Sequence, residues 1–399
     1  MLEECLYTIT YFLKLILAYL VQIWDYMTRR EERIEFDNVH DKGLGSTLTV
    51  GVVCKIAEGG FSYVYEVRMV KKTDQRYAMK RILCSDEETI RKCRDEIGVH
   101  RSFHHPTLLP LIAHKFEKSN GSMTVCYMLF PLISSSLRDQ LNDRLQLLDE
   151  NSLGAIRPWT EREILEIFGG VVDAVAALHE NGYAHRDIKL ENILYDVNTQ
   201  RPVLMDFGSV APAMVPIRSR TSLLKLIDEA SENSTVSYRA PELFEGHVHY
   251  GSDESDIDGR VDIWSLGCVL FGMMYGYSPF ECEIRGEKIK VVECSYLRVL
   301  GAIPTPSLHS ELYKRYDQEL FQFVVWLLNQ DRLERPSIQQ VSSRVDELLE
   351  KNNGTRRWRN TNRTSYSDSM IGGFYDGDNG DIESGALLGR SSPHYELVG

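Results

Sequence analysis

The chain has 399 residues, of which 43% are apolar, and a formal net charge of −13. This length allows one large domain with extensions, and the apolar content is ample for a buried core. The negative charge would repel nucleic-acid phosphates, so we expect no nucleic-acid partner and either basic protein partners or no charge preference. The eight cysteines form no C-x-x-C pair, which favours reduced thiols in the cytosol.

Residues 1–30 contain a mostly apolar run with one polar face, Cys5 to Trp24, which Arg29, Arg30 and Arg33 follow. In helical projection Leu6, Leu13 and Leu20 share the apolar side, and Lys14 lies on the other. This predicts a membrane-anchor helix in the bilayer interface; a soluble packing helix and a spanning helix, where Lys14 would cost roughly 2.5–3.5 kcal/mol, stay open. If it spans, the basic residues that follow keep the rest of the chain in the cytosol. Leu2 in place of Gly excludes N-myristoylation.

Residues 31–46 are interpreted as a linker, and β-type runs follow at residues 48–54 and 63–70. Between the runs lies a segment that contains Ile56, Gly59, Gly60, Ser62 and Val64. The glycines would let backbone N–H groups approach phosphate oxygens, although a glycine pair between strands is more often a hairpin turn. Two of the three glycine positions of G-x-G-x-x-G hold other residues.

A strand that ends at Lys80 and a helical stretch at residues 87–103 predict an ion pair. Ala78 and Lys80 belong to a Y-A-M-K sequence, and Lys80 would hold the α and β phosphates of ATP while Glu96 on the helix pairs with it. An isolated Lys/Glu pair is usually a solvated surface pair. The order of these segments favours a catalytic role for both residues instead.

The run H-R-D-I-K-L-E-N, followed by D-F-G, is the most informative pattern in the chain. Asp187 would accept the proton of a substrate hydroxyl, and Lys189 would face the transferring group. Asn192 and Asp206 would bind Mg²⁺. The pattern predicts phosphoryl transfer from ATP, and Lys189, two positions after Asp187, favours a Ser/Thr hydroxyl over tyrosine.

The nucleotide pocket is predicted from the same segments. Adenine would lie between Val64 and Ala78 on one side and Leu194 on the other, with Phe130 at the back and Leu132 at the hinge. The predicted cofactor-binding residues are Ile56, Gly59, Gly60, Ser62, Val64, Ala78, Lys80, Leu132 and Leu194.

The segment after D-F-G is long, and its apolar residues predict a short helix over residues 222–232 that docks on the large lobe. We expect the Thr235 hydroxyl to bond to the catalytic loop and the Asp262 carboxylate to accept N–H bonds from that loop. Arg335 would pair with Glu242 in a bidentate bond. Autophosphorylation is predicted on this segment, with Ser231, Ser234 and Ser237 as candidates.

Residues 350–399 are rich in Gly, Ser, Asn and Asp, which predicts a disordered acidic tail. An acidic dileucine pattern runs from Glu383 to Leu388, and a tyrosine-based pattern runs from Tyr395 to Val398. Both resemble sorting signals that clathrin adaptors read, so these adaptors are predicted partners.

Residues 47–349 resemble a eukaryotic protein kinase domain. The segments A-E-G-G-F-S-Y-V, Y-A-H-R-D, P-V-L-M-D and V-S-Y-R-A-P-E-L-F resemble the Numb-associated kinase family, nearest its myristoylated and palmitoylated Ser/Thr branch. The resemblance implies an α+β bilobal kinase fold, with a small β-rich N-lobe and a larger helical C-lobe. It also implies that activity survives the missing glycines, and that relatives hold to membranes through acyl chains.

These observations predict a membrane-associated protein kinase that transfers the γ-phosphate of ATP to Ser/Thr residues of proteins. Its kinase domain would face the cytosol at Golgi or endosomal membranes, and its role would be in membrane trafficking or secretory-pathway signalling. The alternative is a membrane-tethered pseudokinase scaffold that presents trafficking signals. A third interpretation is an ATP-binding regulatory module, which would have no need of Asp187.

Overall fold

A β-rich small lobe precedes a helical large lobe, as predicted. The computed structural model describes residues 32–59, 62–71, 74–118, 123–149, 158–244 and 256–356. The predicted anchor helix (1–30), Gly60 and residues 357–399 of the predicted tail lie outside these ranges. Within them, no helix has the length and apolar character needed to cross a bilayer.

The small lobe contains one antiparallel sheet of seven strands. The strands are β1 (Arg33–Phe36), β2 (Asn38–Val39), β3 (Leu48–Glu58), β4 (Ser62–Met69), β5 (Arg76–Cys84), β6 (Ala113–Lys118) and β7 (Thr124–Pro131). They lie in the order β1-β3-β4-β5-β7-β6-β2. Buried and more exposed residues largely alternate in β1 and β5, because successive side chains of a strand point to opposite faces.

The predicted linker is part of this sheet, which corrects the boundary drawn at residue 47. Strand β1 pairs with β3, and β2 pairs with β6 at the other edge, so the segment crosses the lobe from edge to edge. Ile34 and Phe36 are buried in its core. Burial of each such side chain stabilises the lobe by roughly 1.5–3 kcal/mol, which a solvated linker would not provide.

Helix α1 (Glu87–Ser102) packs against the sheet and confirms the helix predicted at residues 87–103. It begins at Asp86, whose carboxylate accepts the Thr89 N–H at 2.7 Å. Its buried residues Cys93, Glu96, Ile97 and His100 recur at helical spacing. Glu96 therefore faces the sheet.

The large lobe surrounds the apolar helix α5, whose residues are buried except at its first position. A helix that is apolar on all sides is expected at the centre of a lobe. The helices of this lobe are α2 (Leu137–Asp149), α3 (Glu161–Glu180), α4 (Arg220–Asn233), α5 (Arg260–Tyr275), α6 (Tyr296–Val299), α7 (Glu311–Lys314), α8 (Gln318–Leu327) and α9 (Ile338–Lys351). Its strands are β8 (Tyr183–Ala184), β9 (Ile193–Asp196), β10 (Arg201–Leu204), β11 (Ala211–Pro212), β12 (Cys282–Arg285) and β13 (Lys288–Val291).

Helix α4 confirms the predicted helix between D-F-G and A-P-E, and it is longer than the predicted 222–232. Its buried residues Leu223, Leu226 and Ala230 belong to the core of the large lobe, and Ile227 packs against that core. The predicted apolar face is therefore the face that docks.

The domain also extends beyond residue 349. Helix α9 continues to Lys351, and the guanidinium of Arg356 reaches the hydroxyl of Ser342 at 3.1 Å beside Asp173. The first residues assigned to the tail therefore pack on the large lobe.

Candidate active site

Lys80 and Glu96 form the predicted contact in the small lobe. The Lys80 Nζ atom is 2.8 Å from Glu96 Oε1 and 3.0 Å from Asp206 Oδ1. Burial alone would lower the pKa of Lys80, but the charges of Glu96 and Asp206 outweigh it and raise the pKa. The same ammonium group lowers the pKa of Asp206. One cation therefore joins the sheet, helix α1 and the D-F-G segment.

Asp187 is held by donors from two segments of the large lobe. Its Oδ2 accepts from Lys189 Nζ at 2.8 Å and from Asn192 Nδ2 at 2.9 Å. Its Oδ1 accepts from the Thr235 hydroxyl at 2.9 Å and from the Thr235 N–H at 3.0 Å. The predicted bond between Thr235 and the catalytic loop is therefore present, and the Asp187 carboxylate has a fixed orientation.

Lys189 connects the same two segments. Its ammonium group donates to Asp187 and to the Thr235 hydroxyl, both at 2.8 Å. A cation in this position would reduce the negative charge of a phosphoryl group brought to Asp187. The geometry is thus compatible with the catalytic role predicted for Lys189, which stays a prediction.

Asp262, in the first turn of α5, holds the catalytic loop through backbone hydrogen bonds. Its carboxylate accepts the N–H groups of His185 and Arg186, each at 2.8 Å, as predicted. Arg186 has a φ of 66°, in the left-handed region that non-glycine residues seldom adopt. These two bonds compensate for the strained backbone immediately before Asp187.

His179 is a further partner of Asp262 that no motif predicts. The His179 Nε2 atom lies 2.8 Å from Asp262 Oδ2. His179 lies in the last turn of α3. No sequence pattern places this helix end beside α5, because the pairing depends on how the two helices cross.

His100 is a second residue that the sequence analysis missed. Its ring lies 4.5 Å from the ring of Phe207 and 4.9 Å from that of Phe130, between centroids, and Nδ1 is 2.9 Å from the carbonyl oxygen of Leu109. Burial lowers the pKa of His100 to about 3, so the ring is neutral at physiological pH. Its position one turn after Glu96 on the buried face was the available signal.

Arg335 and Glu242 form the predicted bidentate pair. The distances are 2.7 Å from Nη1 to Oε1 and 3.1 Å from Nη2 to Oε2, and both residues are buried. Arg335 Nη1 also donates to the carbonyl oxygen of Arg260. The pair ties the end of the segment that contains Thr235 to the base of α5.

Three of the residues predicted around the adenine, one of them from the large lobe, meet in one apolar cluster. Ala78 pairs with Phe130 across β5 and β7, and both belong with Leu194 to one apolar cluster. Val64 is opposite Lys80 in the sheet. Leu132 follows the end of β7, half-buried, and Ile56 is exposed on β3.

Gly59, directly after β3, bonds to Ser62, the first residue of β4. The Gly59 N–H donates to the Ser62 carbonyl oxygen at 2.8 Å. A Cβ atom at Gly59 would lie 2.9 Å from the Ser62 hydroxyl, so this position tolerates glycine best. The ends of β3 and β4 are therefore paired as in a hairpin. A phosphate-binding role for the glycines stays a prediction.

The side-chain oxygens of Asn192 and Asp206 are suitable ligands for a divalent metal that accompanies a nucleotide. The Met205 N–H bonds to the carbonyl oxygen of Asn192 at 2.9 Å, so Asp206 follows a residue that touches Asn192. Amide and carboxylate oxygens are the ligand type that Mg²⁺ takes. Asp206 itself has a φ of 64°, as found for functional residues held in unusual backbone conformations.

Comparison with known proteins shows which family this domain resembles. Residues 51–345 match the protein kinase domain family. Mouse serine/threonine-protein kinase 16 is 34% identical over 297 residues, which cover 74% of this chain and 89% of the mouse protein. The human protein of that name is 34% identical over 296 residues, covering 74% of this chain and 88% of its own length.

A fungal relative extends the comparison. Serine/threonine-protein kinase ppk13 of Schizosaccharomyces pombe is 30% identical over 318 residues, covering 73% of this chain and 88% of that protein. The match to the domain and the ordered set of charged residues around Asp187 lead to one conclusion. This chain belongs to the protein kinase family and carries a eukaryotic serine/threonine kinase domain.

Proposed function

We propose that this protein is an active, membrane-associated serine/threonine kinase that acts in membrane trafficking or secretory-pathway signalling. One observation carries the catalytic part: the Asp187 carboxylate is fixed by Lys189, Asn192 and Thr235 in a single hydrogen-bonded cluster. A scaffold that only binds partners has no physical need for this cluster. The pseudokinase alternative is therefore the weaker candidate.

A protein kinase domain implies ATP and a divalent metal, and we propose Mg²⁺. Lys80 would bind the α and β phosphates, and the oxygens of Asn192 and Asp206 would hold the metal. The metal would neutralise charge on the phosphates. We assign the adenine pocket to Val64, Ala78, Leu132 and Leu194, and the lid to Ile56, Gly59, Gly60 and Ser62.

The side chains of the protein would position the substrate hydroxyl and accept its proton. Asp187 would orient the substrate hydroxyl and accept its proton. Lys189 and Lys80 would stabilise negative charge on either side of the transferring group. Because Asp187 is already immobilised by four hydrogen bonds, little reorganisation would be needed at the moment of transfer.

The proposed acceptor is a serine or threonine, as in the relatives named above. We expect purified protein with Mg²⁺ and labelled ATP to label Ser and Thr peptides and to leave a matched Tyr peptide unlabelled. Labelling should be lost in Asp187→Ala. Preference for the Tyr peptide, or labelling that survives Asp187→Ala, would contradict the assignment.

Autophosphorylation is proposed on the segment that carries α4. Ser231 is exposed there, whereas Ser234 is half-buried with its hydroxyl bonded to the Ala230 carbonyl oxygen and Ser237 is buried. Ser231 is therefore the best of the three candidates. Phosphopeptide mapping after incubation with ATP should find Ser231 first.

Membership of the Numb-associated family is part of this proposal. It is supported by the residues quoted above and by the helix α4 within the activation segment. The membrane location rests on residues 1–30, and the adaptor partners rest on the patterns from Glu383 to Leu388 and from Tyr395 to Val398.

A fluorescent fusion tests the location. We expect the full chain to label Golgi or endosomal membranes and a chain without residues 1–28 to spread through the cytosol. A fusion with Leu387, Leu388 and Tyr395 changed to Ala should stay on membranes but shift between compartments. An even cytosolic distribution of the full chain would rule out the anchor.

A further inference from the structure

Glu191 is an acidic residue of the catalytic loop whose charge the proposed reaction does not use. It follows Asp187 in the loop, and its side chain is 45% exposed. A carboxylate beside the substrate hydroxyl in an acidic protein would attract basic substrate residues. In this chain, however, Arg138 on α2 donates from Nε to Glu191 Oε1 at 2.9 Å.

Arg138 also compensates a second carboxylate of the same surface. Its Nη2 atom lies 3.5 Å from Glu281 Oε1. Glu281 is itself positioned, because it accepts the Ser278 N–H at 2.9 Å. One guanidinium group therefore faces two carboxylates that would otherwise present their negative charge next to the cleft.

The Arg138 side chain is held firmly, with only 15% of it exposed. Nη1 donates to the carbonyl oxygen of Gly276, which ends α5 at a φ of 94°. Nη2 is 3.4 Å from the Tyr238 hydroxyl, and the guanidinium lies 5.6 Å from the centre of the Tyr277 ring. A side chain with this many partners cannot swing away cheaply when a substrate arrives.

The location of this cluster connects it to substrate. Tyr238 ends the short helix Val236–Tyr238, which begins directly after Thr235, and Thr235 bonds to Asp187. Glu191 lies four residues after Asp187 in the same loop and bonds to Arg138. The Arg138–Glu191 pair is therefore linked to Asp187 through the loop and through Tyr238 and Thr235, where residues that flank a substrate hydroxyl would lie.

We propose that Arg138 is a specificity-determining residue that cancels selection for basic substrates. By neutralising Glu191 and Glu281, it leaves the surface next to Asp187 without a preference for basic residues around the acceptor. The inference rests on the proposed serine/threonine kinase activity. Of the two outcomes that the net charge of −13 left open, basic partners or no charge preference, it selects the second for the acceptor surface.

Steady-state kinetics with a set of serine peptides tests this assignment. One peptide has alanine at every position around the serine, and each of the others has arginine at one position. For the full chain we expect kcat/KM to vary less than about threefold across the set. For Arg138→Ala we expect at least one arginine peptide to gain roughly fivefold or more over the alanine peptide.

Three further variants separate charge from structure. Arg138→Lys keeps the positive charge and should keep the flat profile. Arg138→Ala combined with Glu191→Gln should lose most of the gain. Arg144→Ala removes an arginine from the same helix that instead contacts Gln140 and Trp159, and it should leave the profile flat.

Two results would overturn the proposal. One is a folded Arg138→Ala variant whose profile stays flat, which would make the cluster structural only. The other needs no Arg138 variant: an unchanged chain that already prefers arginine by about fivefold and loses this preference in Glu191→Gln. Turnover of the alanine peptide reports kinase activity separately, so failure of the activity would not be confused with failure of the inference.

Discussion

At the scale of single residues, the catalytic loop depends on a buried carboxylate that contacts no substrate. Asp262 is fully buried and accepts two backbone N–H groups at the start of the loop. Burial alone would raise its pKa, but the hydrogen bond and charge of His179, the charge of His185 and the Arg186 N–H outweigh burial and lower it. Asp262 therefore stabilises the folded state as a carboxylate.

The sign of this shift sets a pH dependence. We expect Asp262→Asn to lower the free energy of unfolding at pH 7 by about 3 kcal/mol, because an amide cannot replace a carboxylate that accepts from both N–H groups. A group with a depressed folded pKa contributes fully above its unfolded pKa, which is 3.8 for Asp. The difference in the free energy of unfolding between the wild-type protein and Asp262→Asn should therefore narrow as the pH falls below about 4. Urea unfolding across pH 3–7 measures this difference, with the exposed Asp143→Asn as control. A difference that widens in acid would refute the prediction.

The pair of Lys80 and Glu96 gives a second prediction at this scale. Lys80→Met leaves Glu96 buried without its cation, and loss of one partner of a buried pair costs roughly 3–5 kcal/mol. Lys80→Met/Glu96→Gln removes the buried Glu96 charge, and the Asp206 carboxylate that also loses Lys80 is partly exposed to solvent. We therefore expect the double variant to be more stable than the single one. Thermal unfolding measures the stability of both variants. A double variant that is no more stable than Lys80→Met would show that Lys80 and Glu96 are not coupled.

At the scale of elements, helix α4 was predictable because its evidence is local. Leu223, Leu226, Ile227 and Ala230 recur at helical spacing within one stretch of sequence, and their common face packs on the large lobe. Strand β1 lies in the predicted linker instead. Its alternation of exposed and buried residues is only four residues long, and no local signal indicates that it pairs with the β-type run that forms β3.

Docking of α4 gives a prediction at this scale. We expect Leu226→Asp to detach the helix, because a charge would enter an apolar contact in which the wild-type side chain is 3% exposed. Hydrogen exchange across residues 220–233 should accelerate by about tenfold or more, while exchange in α5 stays unchanged. Lys225→Asp changes the exposed neighbour and should have no such effect; equal acceleration in both variants would contradict the docked face.

In the whole molecule, the order of motifs predicted both lobes and three side-chain contacts between distant segments. The contacts of Lys80 with Glu96, Thr235 with Asp187, and Arg335 with Glu242 were expected from motif order and are present. His179, His100 and Arg138 were missed, because each acts through partners that only the packing of distant segments brings close. Local periodicity and motif order cannot encode such crossings.

In the proposed mechanism, one cleft binds nucleotide through both lobes and transfers phosphate through Asp187. The most direct test measures binding of magnesium–ATP and phosphate transfer to a serine peptide, side by side, for the full chain and for Asp187→Asn. We predict affinities within about threefold of each other and transfer reduced by roughly 100-fold or more in the variant. Transfer by Asp187→Asn within tenfold of that by the full chain would contradict this mechanism. So would a full chain that binds no magnesium–ATP at millimolar concentration.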